Sequence, residues 1–182
     1  MLLRNLKLCV LLSLLLLCAC GAKSPLGIAK TEEFRALPPR QALFVVPFRT
    51  VMVPPAVAEP LFDTFVDELH GRAAQLGRDA FEVLILKDDL ESIDSAWLAA
   101  RPYLTGEIFG YLEDSGARAT DIRLKTRLQL HQPGAAEPTL VLDYPDGLYF
   151  EHDRASLDAK RLELAQRVAA ALAAGLWGAL MD

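Results

Sequence analysis

Ala42-Leu43-Phe44-Val45-Val46-Pro47-Phe48 is an unbroken apolar run, and the fold turns on how it is read. A strand with one wet face alternates, whereas a short continuous run suits a strand covered on both faces. Pro47 puts the strand end there, because proline has no N–H for a ladder. Beyond the loop Val53-Pro54-Pro55 the apolar residues change period. Leu61, Phe62, Phe65, Val66, Leu69, Ala73 and Leu76 recur at helical spacing, with Asp63, Asp67, Glu68 and Arg72 on the other side. Pro60 is expected in the first turn, where a missing N–H is harmless. Gly77 is expected to stop the helix. Phe81-Glu82-Val83-Leu84-Ile85-Leu86 then reads as a second strand. Strand, helix and strand in succession form a βαβ unit, which predicts parallel strands joined by a right-handed crossover.

Downstream the pattern becomes antiparallel. Lys87 to Asp94 is acidic, read as a solvated loop leading to a short helix with Trp97 and Leu98, capped by Asp94 or Ser95. Tyr103 to Leu112 alternates, with Leu104, Gly106, Ile108, Gly110 and Leu112 expected on one face. Asp114-Ser115-Gly116 turns the chain. In Ile122 to Leu130 the leucines and isoleucine face in, while Arg123, Lys125, Arg127 and Gln129 face out. One side of the sheet should therefore meet water. Gln132-Pro133-Gly134 begins a hairpin loop, Thr139 to Tyr144 returns, and Pro145-Asp146-Gly147 is expected to break that strand, which Leu148-Tyr149-Phe150 can extend. The last segment is a helix capped by Asp153 or Ser156, with Leu164, Val168, Leu172, Leu176 and Leu180 as its buried stripe. Its alanines make it slim, and it is expected to dock over Gly106 and Gly110. The fold class is therefore α/β (α+β). It has a single mixed sheet of about five strands, with a βαβ start, an antiparallel meander and a C-terminal helix on one face. The first and third strands should pair centrally, with the second outside the first.

The N-terminus has a different character. Arg4 and Lys7 precede an apolar core from Leu8 to Leu17, which describes a secretory signal. The segment is too short for a spanning helix, which needs about 20 apolar residues. Leu17-Cys18-Ala19-Cys20-Gly21 resembles the lipobox of bacterial lipoproteins: a leucine three places before the cysteine, a small residue just before it and glycine after it. The resemblance implies removal of residues 1–19 and acylation of Cys20. Cys18 is the weaker acceptor, because bulky Leu17 precedes it. Gly21, rather than aspartate, favours the outer membrane facing the periplasm. Residues 20–41, rich in Ala, Lys, Ser and Pro, read as a lipidated tether, and residues 42–182 as one domain.

The chain carries a net charge of −5, and loss of Arg4 and Lys7 makes the remainder more acidic. Nothing there favours nucleic acid. Of three cysteines, Cys9 and Cys18 leave with the signal and Cys20 is acylated, so no thiol is left for a disulfide or a metal. No nucleophile elbow, P-loop, dinucleotide fingerprint or zinc-protease motif occurs. His70, His131 and His152 read as ordinary surface and loop residues. No catalytic residue, metal or cofactor is expected. Arg123, Lys125 and Arg127 are the candidate interaction face.

The element order, with Val45-Val46-Pro47-Phe48 and Leu104-Thr105-Gly106-Glu107-Ile108, resembles the α/β domain of small envelope lipoproteins. That group includes the curli secretion lipoprotein, the activator of penicillin-binding proteins and the N-terminal domain of the Tol translocation protein. The resemblance implies a non-enzymatic, protein-binding role in the envelope, with an envelope protein complex as partner. No pair of long alternating segments is left over for a membrane barrel. The alternative is a lipid- or small-ligand-binding component of an envelope transport system, using space beside the last helix.

Overall fold

The computed structural model describes residues 26–77 and 80–181. Cys18, Cys20 and the signal segment lie outside them. The opening run forms β2 (Ala42–Val45), after a short edge strand β1 (Gly27–Lys30). Then come β3 (Arg49–Thr50), α1 (Pro55–Leu76), β4 (Glu82–Ile85), a 3-10 turn at Leu90–Ser92 and α2 (Ser95–Ala99). Three long strands, β5 (Tyr103–Ser115), β6 (Ala119–His131) and β7 (Leu140–Glu151), lead to α3 (Leu157–Met181). The sheet order is β1-β7-β6-β5-β2-β4, and β3 pairs with β5. β2 lies parallel to β4 and β5, while β5, β6 and β7 form an antiparallel meander. This is the mixed sheet expected, with two extra short strands.

Both long helices cover the same face, side by side. Val57, Leu61, Phe65, Val66 and Leu69 of α1 are buried. So are Leu164, Val168, Leu172, Leu176 and Leu180 of α3, with Ala165, Ala169, Ala173 and Ala179 between them. They close over Leu43, Val45, Leu104, Ile108, Ile122, Leu124, Leu128, Leu130, Leu140 and Leu142. On the opposite face Trp97 of α2 meets Phe44 edge-on at 4.8 Å. β2 is thus covered on both sides, which its unbroken apolar run required. α3 is the one described helix long and apolar enough to cross a membrane, and its apolar stripe is spent on the sheet.

Five sequence expectations are corrected. Residues 26–41 belong to the domain rather than to a tether. β1 pairs with β7 from Gly27↔Asp143 to Lys30↔Leu140, and Leu37 is buried. All four residues of β1 are exposed, so its backbone pairing with β7 is its main tie to the sheet and no apolar period announced it. α1 begins at Pro55, with Pro54 as N-cap, and Pro60 lies inside it. Two prolines at the true start supply the favourable first-turn geometry, and the helix tolerates the third. β7 runs through Pro145 because β1 stops pairing at Asp143 and leaves an edge there. The alternation of β5 changes phase at a register shift between Ile108 and Gly110. Phe109 is the extra residue, so Tyr111 and Glu113 turn inward and Leu112 turns out.

The fifth correction concerns the last helix. A Cβ at Gly106 would lie 2.6 Å from Phe48 Cγ and closer still to two other ring atoms. Phe48, not α3, fills the space over this glycine. Gly110 faces the Lys125 side chain on the opposite surface. α3 sits instead over β7 and β6 and beside α1. Its own close approach is at Gly175, where a Cβ would press on Leu26 and lie 3.0 Å from Leu142 Cδ2.

Charged pairs fasten α3 to the sheet. Arg167 grips Asp146 through Nε (2.6 Å) and Nη2 (2.8 Å). Arg161 donates to Glu113 Oε2 from Nη2 (2.8 Å) and Nε (3.1 Å), and the same oxygen accepts from Tyr111. Burial would push the Glu113 carboxyl up, but the bonds from Tyr111 and Arg161 outweigh it and hold the carboxyl below its ordinary range. Such a group stabilises the fold above its unfolded pKa and loses that contribution as pH falls through the folded value. Glu113→Gln should therefore cost on the order of 1–2 kcal/mol at pH 7 and much less near pH 3. Urea melts at the two pH values check this; an equal loss at both would show that the charge is not the source.

Candidate interaction face

Since both long helices choose one face, the other face of β5, β6 and β7 is left bare. The period-2 alternation of β6 places Arg123, Lys125, Arg127 and Gln129 there, as the sequence predicts. The structure brings the three cations into one row but gives them different surroundings. Arg127 is held by Asp143 of β7, Nε to Oδ1 at 2.7 Å and Nη2 to Oδ2 at 3.2 Å. Its guanidinium also lies 5.3 Å from the centre of the Phe109 ring. Arg123 is paired with Asp121 two residues away on the same strand. These carboxylate bonds raise the pKa of both arginines further. Lys125 stands between Gly110 and Pro145 in register, and among the described residues no carboxylate answers it. The row is therefore not a uniform basic strip. It is a single free ammonium flanked by two neutralised arginines.

The apolar part of this face was legible at Phe109, which the alternation of β5 puts there, but not at Leu112. Phe109 is 43% exposed, Leu112 54% and Tyr149 70%. Phe109 faces out on the alternation of β5, and the bulge there exposes Leu112 by reversing the phase of the residues that follow. Gly106 and Gly110 on either side of an aromatic residue were the available signal, since glycine inside a strand often marks a bulge. Tyr149 emerges because β7 continues past its proline.

The histidines take structural places. His131 stacks on Tyr103 with ring centres 4.5 Å apart and planes 4° from parallel, and its Nε2 is 3.3 Å from Thr105 Oγ1. Burial lowers its pKa. His152 Nε2 lies 2.8 Å from the buried Thr120 hydroxyl. His70 Nε2 is 3.3 Å from the Val83 carbonyl oxygen. Asp94, from the acidic stretch, caps α2 by accepting from the Ala96 and Trp97 amides. Among the described residues, no three of His, Cys, Asp or Glu converge on a point that could hold a metal ion.

Four surface grooves stand out. One lies by the β6–β7 ends at Arg118, Tyr149 and His152, and one by the loop of Arg35 and Gln132. A third runs beside Phe48 and Phe62, and the fourth follows the polar side of α1. No residue of α3 lines any of the four.

No protein-family model and no curated protein matches the chain. Among solved structures it is similar to PelC from Paraburkholderia phytofirmans, a dodecamer. That match has a TM-score of 0.50 and 13% identity, and covers 80% of this chain and 96% of that one. It is also similar to protein XCC0632 from Xanthomonas campestris, with a TM-score of 0.51 and 8% identity, covering 84% of this chain and 91% of that one. At such identities the likeness is one of fold, and it spans nearly the whole of each neighbour.

Proposed function

We propose that the chain is a lipid-anchored accessory protein of the bacterial cell envelope. It is not an enzyme, and it engages an envelope protein complex through the bare face of β5, β6 and β7. The observation that carries this reading is Lys125 standing free among exposed Phe109 and Leu112, on a face that neither long helix covers. Exposed apolar and aromatic side chains mark a protein interface, with polar and charged groups at the rim. The likeness in fold to PelC, which assembles as a dodecamer, is in keeping with it. The alternative is a ligand held beside the last helix, although α3 lines none of these four grooves.

The anchor is Cys20, and the outer membrane facing the periplasm is its place. β1 begins at Gly27, so the stretch from Cys20 to it reaches at most about 25 Å even when fully extended. The domain therefore works close to the bilayer.

The test is capture from detergent-solubilised envelopes, with the wild type and the Lys125→Glu, Leu112→Asp double variant as bait. The wild type is expected to retain one or more envelope proteins. The variant should lose them at least tenfold while its thermal melt stays within about 0.5 kcal/mol, as expected for surface changes. Capture of lipid alone, or of the same proteins by both baits, overturns the reading.

A further inference from the structure

The loop between β3 and α1 holds an apolar side chain in water on a strained backbone. Met52 has φ 54° and is 94% exposed, and Val51 beside it is 52% exposed. A methionine in the left-handed region is held there at a cost, and strain of this kind gathers at functional positions. The loop is clamped on both sides. The Val51 N–H donates to the Ile108 carbonyl at 3.3 Å, which continues the β3–β5 ladder. Pro54 and Pro55 then begin α1. The knob is therefore presented rigidly.

Next to it lies a groove of about 520 Å³ walled by Phe48, Val53, Pro55, Ala58 and Phe62, which Met52 does not enter. Glu59 and Asp63 line its rim and are exposed. Arg49, exposed on β3, stands three residues before the knob. Among the described residues, none of these three charges has an ion-pair partner. One end of the molecule thus carries an apolar knob flanked by a free cation and an apolar groove flanked by two free carboxylates.

We infer that Val51 and Met52 of one copy seat in the Phe48–Phe62 groove of a second copy, with Arg49 of the first answering Glu59 and Asp63 of the second. Methionine suits this contact because its unbranched chain adapts to an irregular pocket. A single loop in a groove buries far less than the roughly 800 Å² per partner of a stable interface. The contact is thus weak in free solution and forms where anchors concentrate copies on one membrane. It rests on the anchored reading in that respect alone, and it uses a surface distinct from the bare sheet face.

Photo-methionine tests this in envelope membranes. Met1 leaves with the signal, so in a Met181→Leu background Met52 is the one remaining methionine. Irradiation is expected to yield an adduct of twice the chain mass, with the cross-link mapping within residues 47–63. Met52→Leu should abolish the adduct. Arg49→Glu should cut it at least fivefold, and adding Glu59→Arg and Asp63→Arg to that variant should restore at least half. No copy-to-copy adduct, an adduct with a different protein, a cross-link mapping outside the groove, or indifference to Arg49→Glu overturns the inference. Fatty-acid labelling of Cys20 in the same cells scores the anchor separately. A labelled chain without the adduct sinks this contact alone. An unlabelled chain whose adduct still maps from Met52 to the groove sinks the anchor, and with it the need for concentration on a membrane, but leaves the contact.

Discussion

Gly106→Val is expected to destabilise the fold by about 3 kcal/mol or more, at the upper end of what overpacking a core costs. The glycine lies on the buried face of β5, and the Phe48 ring occupies the space where its side chain would stand. The ring has little room to retreat. Phe62 meets it at 5.3 Å and Phe65 at 5.2 Å, and Phe65 is fully buried. Added atoms must displace either this aromatic cluster or the backbone of a central strand. Phe48→Ala alone should also destabilise, by about 3 kcal/mol, because it leaves a cavity. The two changes together should cost clearly less than their sum, since each relieves the fault of the other. Urea denaturation of the two single variants and the double variant measures this. Strict additivity would mean that Phe48 does not lie on Gly106.

The second large effect is on location. Cys20→Ala should move the chain from almost wholly membrane-bound to almost wholly released or unprocessed. Each buried methylene contributes about 0.8 kcal/mol, and two or more acyl chains together make attachment stable where one chain does not. No other part of the chain is expected to supply comparable affinity, because the apolar stripe of α3 is buried against the sheet. Cys18→Ser should leave attachment unchanged. Labelling with a fatty-acid probe, followed by membrane fractionation, distinguishes the two. Undiminished labelling of the Cys20→Ala chain would refute the assignment.

The strand order was legible wherever a long apolar period meets a local connection. The βαβ unit from Ala42 to Leu86 and the hairpins after Tyr103 leave few alternatives, and the observed pairings follow them. The stripes of α1 and α3 were legible for the same reason. β1 was not, because an edge strand whose four residues are all exposed carries no burial pattern. The start of α1 was not, because three prolines within seven positions each fit a first turn. The candidate face was half legible. Alternation showed that Arg123, Lys125 and Arg127 point outward, but the carboxylate partners of the two arginines stand on a neighbouring strand or two residues along their own.

Local chemistry by itself determined the buried stripes of α1 and α3 and the parallel pairing at the start of the sheet. These depend on periods of 2 and 3.6 and on short motifs, all readable within a few residues. Tertiary structure alone decided that Phe48 rather than α3 fills the space over Gly106, that Leu112 emerges beyond a bulge, and that Lys125 is the unanswered cation. Each of these is a meeting of side chains far apart in sequence. Packing selects among such meetings by volume and register, and neither quantity is written in any single stretch of the chain.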